Sequence, residues 1–195
     1  VGVLAALVER AGSGRGQVVD AAMVDGAALL TTMVHGMMAE GLWSDERGVN
    51  LLDGGAPFYD TYETAEGRYL ALGAIEPHFF GRLIELLGLD PARVPGHLDR
   101  SRWPELRSAL AGAIRTRTRD QWAEVFAGED ACAAPVLSLR EAAAHPHNRE
   151  RGTFVEIGGV VQPAPAPRFS ATPAGRPDPP PVPGADTDSI LQGFG

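Results

Sequence analysis

In residues 50–77, NLLDGGAPFYDTYETAEGRYLALGAIEP, two runs have the composition of β-strands. They are 58–64 and 68–75, each rich in aromatic, β-branched or leucine side chains. Between them Ala65-Glu66-Gly67 is a short connection, with a glycine where a hairpin turn needs positive φ. Ahead of the pair, Asp53-Gly54-Gly55-Ala56-Pro57 makes a tightly turning entry. Behind it, Glu76-Pro77 ends the second strand and opens a helix, since the missing N–H of proline costs nothing in the first helical turn. The pattern sets a carboxylate, Glu76, at the seam between a strand and a helix. A helix macrodipole favours an acidic residue there whether or not it does chemistry. Position alone leaves its role open.

Downstream, a helix over 77–89 carries Phe79, Phe80, Leu83, Ile84 and Leu87 on one face, and Gly88 and Pro91 stop it. Residues 99–128 read as two more helices, 103–115 and 118–127, with Thr118 capping the second. Arg115, Arg117 and Arg119 alternate and read as solvated charge. Residues 134–138 are extended. Ser138 then opens a short helix through 144, with Glu141 three residues on completing a capping box. His145-Pro146-His147 has no further histidine or cysteine at ligand spacing, so no metal is expected there. Residues 154–157 and 159–162 pair as strands across Gly158-Gly159, and from Pro163 proline and glycine dominate. That composition gives extended chain over a surface, with a helical turn at 186–191.

Upstream, residues 1–10 read as a buried apolar helix from the first position, with no N-cap and none of the marks of a signal peptide. A piece of a longer chain would look like this. The glycines of residues 12–16 break that helix and a short strand follows at 17–22. A long helix over 26–43 then places Leu29, Leu30, Met33, Val34, Met37 and Met38 at helical spacing. His35 reads as a packed histidine rather than a general base, and the methionines as core filling. Helix, strand and helix in this order suit the end of an α/β layer. Residues 44–49, charged and glycine-containing, are a linker.

Composition narrows the function classes. The chain has 195 residues, 44% apolar and 22% charged, enough for one or two domains with a core. A net charge of -8 argues against nucleic acid or an anionic membrane as partner. All 17 basic residues are arginine, which reads as coding bias rather than a phosphate site. The one cysteine, Cys132, excludes an internal disulfide, suits a reducing, cytoplasmic setting and reads as an inert thiol. No apolar run approaches the roughly 20 residues of a membrane span.

Two strings carry a more specific signal: GGAPFYDTYET at 54–64 and GAIEPHF at 73–79. Together they resemble the α-methylacyl-CoA racemases of the family III CoA-transferase (CaiB/BaiF) superfamily. GRGQVVD at 14–20 and LREAAAHPHNRERGTFVE at 139–156 are similar to further segments of that superfamily. The resemblance runs along almost the whole chain and matches the later half to two-thirds of such a protein. It implies an α/β fold: part of a Rossmann-like large CoA-binding domain, a small α+β domain, and an interlocked homodimer. Residues 1–48 would finish the first pass of the large domain. Residues 49–150 would be the small domain, and 151–195 the return segment and proline-rich tail packing on the large one.

The activity implied is proton exchange at the carbon α to a thioester carbonyl, with an acyl-CoA as substrate and no separate cofactor. A poorly acidic proton needs bases on both faces and stabilisation of an enolate-like state. In the family a histidine supported by a glutamate serves one face and an aspartate the other. The glutamate matches Glu76, and Leu52, Tyr59 and Ile75 match the lining of the acyl pocket. No position matches the histidine or aspartate motif, and neither His35 nor His78 stands in one. The chain is therefore expected to be inactive by itself. A CoA transferase, using an aspartate nucleophile, is the alternative chemistry; a non-catalytic oligomerisation partner is the alternative from another class.

Overall fold

The structure is a computed structural model that describes residues 1–193. Its chain divides into two compact units, one from Val1 to Pro135 and one from Val136 onward. In the first unit α1 (Gly2–Ser13), α2 (Met23–Leu30) and α3 (Thr32–Ala39) lead to β1 (Thr61–Glu63), β2 (Tyr69–Leu72) and α4 (Pro77–Leu86). Next come α5 (Trp103–Ile114), α6 (Arg119–Phe126) and β3 (Ala133–Pro135). The second unit holds α7 (Leu139–Ala144), α8 (Pro146–Glu150), β4 (Phe154–Ile157), β5 (Val160–Pro163) and α9 (Thr187–Gln192).

The hairpin forms as its composition predicts. β1 and β2 are antiparallel, with Tyr62 opposite Leu70, and Gly67 takes φ 77 in the turn. β3 adds to the other edge of β2, so β2 is the central strand of an antiparallel sheet. Alternation puts Tyr62, Leu70 and Leu72 on the buried face. Helices cover that face. Phe80, Leu83 and Ile84 come from α4, Trp103, Leu106, Leu110 and Ile114 from α5, and Trp122 and Phe126 from α6. Their three- and four-residue spacings make one apolar stripe per helix, and all join a single core with Phe58 and Leu70. The regular ladder is shorter than the strand composition suggests. Hydrogen bonding nevertheless continues in register, from Leu72 N–H to Asp60 O at 2.8 Å and from Ala74 N–H to Phe58 O at 3.0 Å.

Local signals at the helix ends hold closely. Pro77 lies in the first turn of α4, and Gly88, at φ 70, follows its last turn. Thr118 and Gln121 form a capping box on α6, and Ser138 and Glu141 one on α7. β4 and β5 pair across Gly158 and Gly159, at φ 57 and 81.

Four expectations fail. Residues 17–22 form no strand, because no other strand among the described residues lies beside them to supply a ladder. The helix expected over 26–43 is broken at Thr31 and ends at Ala39. The Thr31 and Thr32 hydroxyls bond back to the carbonyls of Ala28 and Leu29 at 2.8 and 2.6 Å, an alternative to continuing the helical ladder. α1, α2 and α3 have no buried residue, so residues 1–10 are not a buried helix, His35 is exposed, and Met33 and Met38 fill no core. Finally, Arg119 is not solvated like its neighbours: its side chain is 6% exposed and pairs with Asp120 at 2.8 Å. The long stem of arginine can lie along apolar surface while its head reaches a partner.

Candidate functional site

The chain from Leu72 to Pro77 is held on both sides. Gly73 donates to the carbonyl of Cys132 at 2.8 Å, on the β3 side, while Ala74 bonds toward Phe58 on the β1 side. The strand then stops, because Ile75 N–H turns back onto Gly73 O at 3.0 Å, a three-residue turn of the kind found at strand ends. Ile75 O accepts from His97 Nε2 at 3.0 Å. One residue later, Glu76 in extended conformation is the N-cap of α4, its carbonyl accepting from Phe80 N–H.

The Glu76 side chain is exposed and accepts no capping hydrogen bond. An N-cap carboxylate would ordinarily satisfy a free N–H of the first turn; this one is left open to a partner. Two groups from beyond this strand flank Gly73, three residues before it. Tyr59 is 39% exposed, and a Cβ placed on Gly73 would lie 3.9 Å from its ring and 3.7 Å from Cys132 O. Cys132 is exposed and sits at φ 47, unusual for a residue with a side chain. Its thiol pKa is pushed up, first by burial, then by the charges of Asp130 and Glu76. Tyr59 thus lies beside Gly73, at the strand end that runs on to Ile75 and Glu76, and Leu52, half-buried, is in the turn that enters the hairpin.

That turn is built around Asn50 and Asp53. Asn50 is fully buried; its side chain accepts from Ser44 N–H and donates to the carbonyls of Ser44 and Glu46 and to Asp53 Oδ2. Burial raises the Asp53 pKa, but hydrogen bonds from Asn50, Gly48 and Gly55 outweigh it and hold the carboxyl below its ordinary value. Among the described residues no three His, Cys, Asp or Glu side chains gather as a metal would need, and no helix is long and apolar enough to cross a membrane.

His97 and Arg107, which shape this region, escape a sequence reading. His97 lies in a loop between two helices, where no periodicity marks it, and Arg107 interrupts an otherwise ordinary helix. Only their partners, 22 residues back for His97 and up to 53 for Arg107, show what they hold.

Comparison with known proteins gives this geometry a setting. A family model described as CoA-transferase family III matches residues 1–187. The chain is 46% identical over 175 residues to the α-methylacyl-CoA racemase of Mus musculus, covering 89% of this chain and 46% of that protein. It is 42% identical over 199 residues to the α-methylacyl-CoA racemase of Homo sapiens, covering 100% of this chain and 52% of that protein. The chain therefore spans about half the length of the curated relatives it matches. A solved CaiB/BaiF family protein from Brucella suis superposes with a TM-score of 0.76 at 21% identity, over 99% of this chain and 52% of the other. At that identity the likeness speaks for the fold.

Proposed function

This chain belongs to CoA-transferase family III, and from that premise we propose that it takes part in proton exchange at the α-carbon of a 2-methylacyl-CoA thioester, as an α-methylacyl-CoA racemase does. One observation carries the reading. A chain 42–46% identical to two proteins of that name carries a glutamate, Glu76, at the strand–helix seam with its carboxylate open and uncapped.

The α-proton of a thioester leaves only if a base is placed beside it and the developing enolate is stabilised. Glu76 serves as the carboxylate that holds an imidazole in one tautomer and stabilises its cation. Tyr59, Ile75 and Leu52 line the acyl chain. No residue of this sequence matches the family's histidine or aspartate motif, so the chain alone does not exchange the proton; it completes a site whose other bases come from a segment bearing those motifs. Coenzyme A enters as part of the substrate, and no further cofactor takes part.

We assign residues 49–150 to the family's small domain, and 1–48 with 151–195 to a Rossmann-like large domain, of which residues 194 and 195 lie outside the described ones. An interlocked homodimer working in the cytoplasm goes with that assignment. The apolar faces of α1 to α3, with Leu4, Leu7, Val24, Leu29 and Leu30 exposed, support a larger whole.

The test is α-proton exchange in heavy water with a 2-methylacyl-CoA. It is run for this chain alone and for this chain joined to a segment carrying the histidine and aspartate motifs. Exchange in the joined form only, abolished by Glu76→Gln, supports the racemase. No exchange in either form, with transfer of CoA from the thioester to a free carboxylate and release of the first acid instead, assigns the chain to a transferase.

A further inference from the structure

We propose that His97 is a positioning residue for Glu76: it fixes the peptide plane from which the carboxylate projects. The assignment rests on the role given to Glu76 above. A carbonyl can only accept, so the 3.0 Å contact from Nε2 to Ile75 O requires the proton on Nε2. That carbonyl shares one rigid plane with the N and Cα of Glu76. Holding the oxygen therefore fixes the axis about which Glu76 turns, and the first-turn bond from Phe80 N–H to Glu76 O at 3.0 Å restrains the rotation about it, so that together they set the direction of its Cβ. The imidazole is itself held. It is about nine-tenths buried, stacks on Phe80 with centroids 4.5 Å apart at 20°, and meets Phe58 edge-on at 5.1 Å. Its own carbonyl accepts from the Trp103 indole at 2.7 Å.

Both aromatic neighbours belong to the same seam. Phe58 O receives Ala74 N–H, two residues before Glu76, and Phe80 N–H closes the first turn of α4 on Glu76 O. One ring thus touches the strand side, the peptide and the helix side of Glu76. A histidine that merely filled the core would need the two aromatic contacts and not the third. The hydrogen bond to Ile75 O is what separates a positioning role from packing.

The test uses His97→Phe, which keeps a flat ring in the stack but has no N–H, and His97→Gln, whose amide restores a donor. In the 15N-labelled 195-residue chain, the Glu76 amide shares the plane in question, so its residual dipolar coupling and chemical shift report directly on it. We expect both to move in His97→Phe and to return toward the parent in His97→Gln. In the form that exchanges the α-proton, His97→Phe lowers kcat about tenfold or more with KM unchanged, since small misplacements of a catalytic group cost rate rather than binding. A Glu76 amide unmoved in folded His97→Phe overturns the proposal, as does equal loss of fold in both variants. The amide readout needs no activity, so this proposal can fail while the racemase stands, and the reverse.

Discussion

Arg107, midway along α5, donates to the carbonyl of Gly54 at 2.7 Å, joining the helix to the glycine turn 53 residues earlier. The same guanidinium bonds Gly55 O at 3.1 Å and Asp60 Oδ2 at 2.5 Å, and lies over the Tyr62 ring. Its planar fork serves three acceptors that lysine's single ammonium cannot reach together. Because the side chain is over a third exposed, water screens part of this. Arg107→Lys should lower unfolding stability by about 1–2 kcal/mol, read as a lower urea midpoint at unchanged slope. A midpoint equal to the parent's would show the clamp to be incidental.

Tyr62 donates to Pro57 O at 2.7 Å from inside the core, and burial, with the Asp60 charge against that of Arg107, pushes its pKa up to about 12. Its folded pKa lies above the unfolded value of 10.0. Its contribution to stability is therefore complete below pH 10 and is lost as pH rises through about 12, when the unfolded chain alone releases the proton. Ultraviolet titration should show a tyrosine ionising near pH 12. Tyr62→Phe should remove that step and cost about 1 kcal/mol at pH 7. Absence of any tyrosine step near pH 12 would mean that Tyr62 is not shielded.

How much of this was legible beforehand depends on the range of the interaction. The hairpin turn at Gly67, the proline start of α4 and the capping boxes of Thr118 and Ser138 are set within a few residues, and composition found them. The break at Thr31 is local too, but it turns on two hydroxyls choosing backbone acceptors, which periodicity does not register. Residues 17–22 have strand composition without a strand, because a ladder needs a neighbour that composition does not supply. The place of Glu76 between strand and helix is legible in the pattern, while its role is carried only by the family resemblance. His97, which holds the peptide before Glu76, and Arg107, which clamps the glycine turn, are not legible there, since their partners are joined only by folding.

Asn50 shows what a fully satisfied buried amide contributes. Removing it leaves the Ser44 and Glu46 carbonyls and the Asp53 carboxylate short of donors in a half-buried turn. Asn50→Ala should cost about 2 kcal/mol or more. It should also move the carboxyl 13C titration of Asp53 upward, because the amide is the largest of the groups lowering its pKa. In the parent, Asp53 should titrate below 3.8. Its stabilising effect is present above that pH and fades as pH falls through its lower folded value. A titration midpoint above 3.8 in the parent would contradict the hydrogen bonds from Asn50, Gly48 and Gly55.

Glu76 offers a sharper separation of stability from chemistry. Its carboxylate caps nothing and is exposed, so only the helix dipole gains from its charge. Glu76→Gln should change unfolding stability by no more than about 0.5 kcal/mol, while α-proton exchange in the competent form disappears. A large loss of stability would mean that the carboxylate serves the helix end, and the role in catalysis would lose its support.

The two kinds of glycine in this chain predict opposite results for one substitution. Gly55 lies against the backbone of its own turn: a Cβ there would sit 2.5 Å from Val49 C and 2.6 Å from Asn50 N. These are main-chain atoms, fixed by the Asn50 and Asp53 bonds, and they cannot swing aside as a flexible side chain could. Gly55→Ala must therefore open the turn that Arg107 clamps, at a cost of about 3 kcal/mol or more. Gly81 lies within α4 with nothing inside 4 Å of such a Cβ. There alanine only removes backbone freedom from the unfolded chain, so Gly81→Ala should stabilise by about 0.5–1 kcal/mol. Measured side by side in urea, the pair should move the midpoint in opposite directions. If both lowered it, α4 would be packed more tightly at Gly81 than the open space beside it shows; if neither did, the turn at Gly55 would be softer than its hydrogen bonds imply.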